Sequence, residues 1–255
     1  PTIGNSKLPL GPANTSSEFT GTLTGLEQGT TYYFKAYGVG SKDVVYGNQL
    51  SFTTLQYANI TTTVVSSITQ TTAVSGGNIS ADGGSPVTLR GVCWSTASGP
   101  TIELSTKPSD GSGSGAFSSN ITGLQPGTIY YVRAYATNSA GTAYGNEQTF
   151  TTIKPPVLTT SAVTSITSTT AVSGGNITSD GNSPVTARGV CWSTNPNPTA
   201  SLSTKTTNGT GPGSFISNMT GLQPGTLYYV RAYATNSAGT GYGSQTTFTT
   251  LPQSS

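Results

Sequence analysis

The stretch Gly-Leu-Gln-Pro-Gly-Thr-Ile-Tyr-Tyr-Val-Arg-Ala-Tyr-Ala-Thr-Asn-Ser-Ala-Gly-Thr-Ala-Tyr-Gly, from Gly123 to Gly145, recurs from Gly221 to Gly243 with two changes, Ile129 becoming Leu227 and Ala143 becoming Gly241. A more divergent copy runs from Gly25 to Gly47, again 98 residues upstream. Solenoid units are shorter, roughly 20–50 residues, and must stack to bury a core. A period of 98 residues is instead a small domain in its own right. Near-identical tandem copies point to an array whose product is length and spacing, because catalysis gains nothing from repeating one domain.

Within the stretch the apolar residues alternate. Tyr130, Val132, Ala134 and Ala136 fall on one side of a strand and Tyr131, Arg133 and Tyr135 on the other. The first set reads as the core face. Outward from it, short apolar runs alternate with Gly, Pro, Asn and Asp clusters, the pattern of strands separated by turns. No segment keeps helical spacing for three turns. In the middle copy the pattern predicts seven strands, at 60–66, 71–79, 87–96, 102–107, 115–121, 128–138 and 143–152, the last two a hairpin around Ser139-Ala140-Gly141-Thr142. Seven short strands in about a hundred residues predict a two-sheet sandwich. The fold class is therefore all-β: tandem seven-stranded antiparallel β-sandwiches, arranged end to end.

Composition narrows the function. Only 7% of residues are charged, against about 25% in an ordinary globular chain. In their place stand 48 Thr, 34 Ser and 33 Gly. The formal net charge of +2 offers no field for nucleic acid or an anionic membrane. Histidine is absent, which removes the commonest general base and metal ligand. No run approaches the roughly 20 apolar residues of a membrane span. Pro1 is not an initiator methionine, so the sequence is expected to be a processed or excised piece of a longer one.

The run Leu124-Gln125-Pro126-Gly127-Thr128-Ile129-Tyr130-Tyr131-Val132-Arg133-Ala134 resembles the E–F turn and F strand of fibronectin type III domains. It recurs from Leu222 to Ala232 and, with Glu27-Gln28-Gly29 in the turn, from Leu26 to Ala36. The resemblance implies a tyrosine corner at Tyr32, Tyr130 and Tyr228, in which the hydroxyl bonds back to the turn. One departure is that the family's second-strand Trp is replaced by Ala73-Val74-Ser75-Gly76-Gly77, while Trp94 and Trp192 lie on the third strand. The Arg-Gly-Val-Cys-Trp-Ser-Thr motif in a Thr- and Gly-rich repeat looks like those of very large surface or secreted proteins of Bacteroidota-type bacteria.

On the third strand Val87, Leu89, Gly91 and Cys93 form the more apolar face, which places Cys93 and Cys191 inside. The opposite face would then present a ladder of Arg90, Trp94, Tyr131, Arg133 and Tyr135, repeated as Arg188, Trp192, Tyr229, Arg231 and Tyr233. Two readings are open for it: aromatics stacking on sugar rings with Arg donating to hydroxyls, or cation–π stacks that merely cover the sheet. One Cys per full repeat leaves no disulfide within a repeat, and equivalent strands of successive repeats are too far apart for one between them.

Ser80-Ala81-Asp82-Gly83-Gly84-Ser85 and Ser109-Asp110-Gly111-Ser112-Gly113 offer one carboxylate each, and Asp180 and Asn208 stand in the third copy. Calcium takes six to eight oxygens, commonly several carboxylates. These loops read more simply as Asp-Gly and Asn-Gly turns. Sequons stand at Asn14, Asn59, Asn78, Asn120, Asn176, Asn208 and Asn218, and in so Ser-, Thr- and Asn-rich a chain several are expected by chance. No Arg-Gly-Asp tripeptide occurs, and no long regular Thr ladder suggests an ice-binding face. No catalytic set, cofactor site or metal site is predicted, and the chain is not expected to be an enzyme.

The organisation read from the period is the C-terminal half of a repeat over residues 1–55, then complete repeats over 56–154 and 155–255. The joints are short. Lys154-Pro155-Pro156 favours stiff polyproline II, and each unit should be about 35–45 Å long. Aligned on the period, the first copy lacks strands one to three. Leu26, Tyr32, Phe34 or its neighbour Ala36, and Phe52 should then show an open inner face, completed by preceding sequence or by strands from another chain. The leading functional expectation is a structural segment of an extracellular filament, stalk or adhesin at a bacterial cell surface, with self-association or neighbouring repeats as partners. The alternative is a carbohydrate-binding or spacer array beside a secreted polysaccharide-degrading enzyme, with a glycan as ligand. Neither involves nucleic acid or membrane insertion.

Overall fold

Strands form where β-branched and aromatic residues alternate with small ones, and they stop at the Gly, Pro, Asn and Asp clusters. The computed structural model describes every residue except 2, 3, 5, 13–17, 105, 254 and 255, so the Asn14 sequon lies outside the described residues. The first copy contains β1 (Thr31–Phe34), β2 (Tyr37–Val39), β3 (Val44–Tyr46) and β4 (Leu50–Thr53). The second contains β5 (Asn59–Thr62), β6 (Ala73–Ala81), β7 (Leu89–Ser95), β8 (Gly115–Ile121), β9 (Ile129–Asn138), β10 (Gly141–Tyr144) and β11 (Gln148–Thr151). The third repeats that order as β12 (Val157–Thr160), β13 (Ala171–Ser179), β14 (Ala187–Ser193), β15 (Gly213–Met219), β16 (Leu227–Asn236), β17 (Gly239–Tyr242) and β18 (Thr246–Thr249).

Every pairing is antiparallel. In the second copy β6 lies between β5 and β8, and the facing sheet is built on β9, with β7 along one edge and β10 then β11 along the other. Ile60, Ala73, Ile79 and Ile121 from one sheet meet Val92, Trp94, Tyr130, Val132, Ala134 and Phe150 from the other in a single core. The third copy builds an equivalent core, with Met219 in the place of Ile121 and Phe215, the counterpart of the partly buried Phe117, fully buried. The chain is thus an all-β structure with two antiparallel two-sheet sandwiches among the described residues, and the Gly-Gly pair of β6 faces a sheet that supplies the Trp instead.

Three predicted strands differ from the structure. The expected strand at 60–66 ends at Thr62, and beyond it only Ser66 makes an isolated bridge, to Val74. The expected strand at 143–152 is broken between β10 and β11, because β5 crosses the break. There the Thr62 hydroxyl accepts the Ala134 N–H (3.0 Å), and Thr62 donates its own N–H to the Asn146 side chain (3.1 Å). The expected strand at 102–107 is irregular. Thr106 and Gly111 accept N–H groups from Trp94 (3.3 Å) and Arg90 (3.0 Å), and Asp110 donates to Arg90 (2.8 Å), so the segment follows the free edge of β7 without becoming a regular strand.

The first copy contains two two-stranded sheets, β1 with β4 and β2 with β3. Among the described residues, none before Ala58 is buried. Because each full copy holds its own core, residues 56–154 produced alone are expected to give a β-type circular dichroism spectrum and one cooperative thermal transition. A fragment that folds only when joined to the third copy would contradict this.

Candidate functional site

The proposed ladder divides between two faces. Cross-strand partners share a face. Trp94 lies opposite Val132 and Val92 opposite Ala134, with all four in the core, whereas Cys93 lies opposite Arg133 and Gly91 opposite Tyr135. The face assigned to the third strand is therefore corrected. Trp94 and Trp192 point inward, each 8% exposed, and Cys93 and Cys191 lie on the other side, still buried at 0%. The reason is that both sides of β7 are covered. The segment following it folds over the outer side, and the Cys93 thiol contacts the carbonyls of Pro100 (3.4 Å) and Arg133 (3.6 Å).

Tyr135 and Tyr233 are each covered by the corresponding segment of their own copy, at 1% and 3% exposure. Their hydroxyls donate to Pro108 O (2.8 Å) and Thr206 O (2.6 Å), carbonyls that lean over Gly91 and Gly189 where a Cβ would collide. The arginines hold backbone. Arg90 donates to Asp110 O (3.4 Å), Gly113 O (3.1 Å) and Ser114 O (3.0 Å), with its guanidinium 5.1 Å from the Phe117 ring centre. Arg188 does the same with Asn208, Gly211 and Pro212, over Phe215. Arg133 and Arg231 donate to Gly145 O and Gly243 O (3.2 Å each) and stack on Tyr144 and Tyr242, 4.5 and 4.4 Å away. Tyr131 and Tyr229 remain half-buried beside them. No continuous aromatic platform results.

The corners form in all three copies. Tyr32, Tyr130 and Tyr228 accept the N–H of Glu27 (2.9 Å), Gln125 (3.0 Å) and Gln223 (3.0 Å). Sequence reasoning missed the second half of each corner. Thr152, 0% exposed, donates to Gln125 O (2.6 Å) and accepts from Thr128 N (2.9 Å), and Thr54 and Thr250 repeat the staple. A Thr pair 24 residues apart in every copy was the available signal. The Asp82 and Asp180 carboxylates accept the N–H of Gly84 and Asn182 (3.0 Å each), closing the expected turns. Among the described residues no group of three or more His, Cys, Asp or Glu gathers as a metal site.

The densest polar arrangement is at the joints, and sequence reasoning missed its key residue. Asn236, 5% exposed at the end of β16, donates both amide hydrogens, to Lys154 O (2.8 Å) in the linker and Asp180 O (2.7 Å), while its oxygen accepts Ala238 N (2.8 Å). Lys154 N donates to Gly181 O (2.9 Å). Gly181, at φ +72°, passes so close to the Lys154 carbonyl that a Cβ would overlap it. The Lys154 side chain turns back over Gly127 of the preceding repeat. The first joint is built alike: Asn138 donates to Gln56 O (2.9 Å) and Asp82 O (2.6 Å), Gln56 N donates to Gly83 O (3.0 Å), and the Gln56 side chain lies over Gly29. A direct bridge is added at the second joint, where Gln70 of one repeat donates to Ala238 O of the next (2.7 Å). In the first copy Gly40 stands at the Asn position.

No family model matches the chain, and no curated protein matches it. Among solved structures, the crystal structure of the chicken CNTN1 FN1-FN3 domains is similar at 14% identity, covering 88% of this chain and 78% of that one with a TM-score of 0.33.

Two outcomes follow from this geometry. Tyr130→Phe and Tyr135→Phe should each lower stability by about 0.5–1.5 kcal/mol, while the half-buried Tyr131→Phe should change it little, as thermal melts of the three variants would show. Burial raises the Cys93 and Cys191 thiols from 9.0 to about 11, more than Arg133 and Arg231 lower them. Their folded values lie above the unfolded ones, so their contribution to stability is intact below pH 9 and is lost as pH rises from 9 toward 11. At pH 8 iodoacetamide should label neither thiol in the native chain and both after denaturation, read by mass spectrometry.

Proposed function

We propose that the chain is a length-setting segment of an extracellular stalk or filament at a bacterial cell surface, in which successive sandwiches are held in a fixed relative orientation. The observation that carries this reading is the joint. The linker residue at each junction is bonded to the repeat that follows through its carbonyl and N–H, and its side chain rests on the repeat before it. A flexible tether would leave those groups to water. Buried backbone groups hold their partners firmly because an unsatisfied one costs about 1–3 kcal/mol. The low charge suits a spacer that touches few partners, and the buried thiols suit an oxidising exterior.

Carbohydrate binding by the aromatic ladder loses its support. Trp94 and Tyr135, the rings a sugar would stack on, are packed inside and beneath a covering segment.

The test is a distance measurement between spin labels on Thr61 and Thr247, exposed positions in the second and third copies. A rigid joint gives one narrow distance peak. Asn236→Ala leaves the Lys154 and Asp180 carbonyls unpartnered and should broaden that peak, with a loss of about 1–3 kcal/mol confined to the third repeat. A distribution already broad in the unmutated chain would refute the rod.

A further inference from the structure

We propose that each full copy carries a pocket for a single uncharged sugar ring, between the end of β7, the segment that covers it and the turn after β8. In the second copy the cavity measures about 310 Å³. Trp94 and Tyr130 form its floor, 8% and 7% exposed, and Leu104, Thr96, Thr106 and Thr122 stand in its walls. This is not the outer sheet face that the ladder reading required. The Trp94 ring belongs to the core, but its indole N–H has no acceptor among the described residues. A buried indole usually finds one. Trp192 repeats the case at the same 8% exposure.

The two copies provide a comparison. The counterparts in the third copy are Trp192, Tyr228, Leu202, Thr194, Thr204 and Thr220, the same six residue types. Around them the sequence is the least alike in the repeat, and 13 of the 28 positions from 96 to 123 differ from those 98 residues later. The wall is also held in the same way. The Thr106 and Thr204 hydroxyls donate to Trp94 O and Trp192 O, and the carbonyls of the same threonines accept the backbone N–H of those tryptophans.

The lining selects the ligand. Small-molecule pockets run from roughly 300 to 1,000 Å³, and one at the low end admits a single six-membered ring. No charged side chain lines it among the described residues, so an ionic group entering would lose its hydration unpaired. Leu104 and the two aromatic residues suit C–H surface, while the indole N–H and the threonine hydroxyls suit neutral hydroxyl and ether oxygens. A pyranose offers both. A peptide strand fits less well, because the adjoining edge of β7 is already bonded by the covering segment, where Trp94 N donates to Thr106 O. Affinity for one ring would be weak, with a Kd on the order of 1 mM. Two such sites on one chain raise the apparent affinity for a repetitive polysaccharide by about 100-fold or more.

Trp94 and Trp192 are the only tryptophans of the chain, so a nitrogen-correlated proton NMR spectrum of the full chain holds one indole signal per pocket. Titration with glucose, galactose, mannose and N-acetylglucosamine, each to about 50 mM, should move both indole signals along a saturable curve for at least one of the four. Leu104→Glu places a carboxylate in one wall and should weaken the response of Trp94 at least about tenfold, while Trp192 titrates as before. Leu202→Glu should do the reverse. Each variant thus keeps one intact pocket as its own control. Indole signals that stay fixed with all four sugars would overturn the proposal. So would equal responses in variant and parent, or a shift produced by N-acetyl-leucinamide and by none of the sugars, since the pocket would then take a peptide side chain.

Discussion

A buried side-chain amide anchors the linker residue at each joint. The peptide carbonyl of Lys154 sits between two sandwiches, where neither sheet ladder can reach it, and Asn236 supplies the missing donor. The same amide group fixes the Asp180 carbonyl, and its oxygen fixes the turn that follows β16. Three backbone groups from three separated segments are thereby tied to one residue. An amide is suited to this because it offers two donors and an acceptor without the desolvation cost of a charge. That arrangement ties the linker residue to the sandwich that follows it.

The same economy explains the composition. A chain with few charges still has to satisfy its internal polar groups, and here hydroxyls do so. Thr152 bonds both sides of the E–F turn, Thr62 reaches across to Ala134 of the other sheet, and Thr106 donates to Trp94 O (2.5 Å). Thr69 and Thr167 close the loops before β6 and β13. Each is short, β-compatible and uncharged, so it can serve a strand and a backbone partner at once. The arginines act likewise, donating to carbonyls while their planes lie on aromatic rings.

Most of the fold was legible because it is written in local signals. Alternation gave the core face of β9, Gly and Pro gave the turns, and the Leu-Gln-Pro-Gly-Thr-x-Tyr-Tyr run gave the corner. The face of β7 was not legible, for a physical reason: hydrophobic alternation reports which side is buried only when the other is wet. Beneath the covering segment Gly91, Cys93 and Tyr135 are as dry as Val92 and Trp94. The joint was equally silent. Asn138 and Asn236 sit in an Asn-Ser-Ala-Gly turn, where Asn is ordinary, and their carbonyl partners lie 82 and 56 residues away along the chain. Only the Gly40 of the first copy hinted that the residue is not simply a turn former.

Because the amide, the glycine it works beside and the linker that they grip all fall within one period, the unit is self-contained as heritable material. An in-frame duplication of 98 codons adds a sandwich together with the fitting that seats it on its neighbour. No compensating change elsewhere is required. Each added copy would carry the same Asn and the same linker contacts as the one before it.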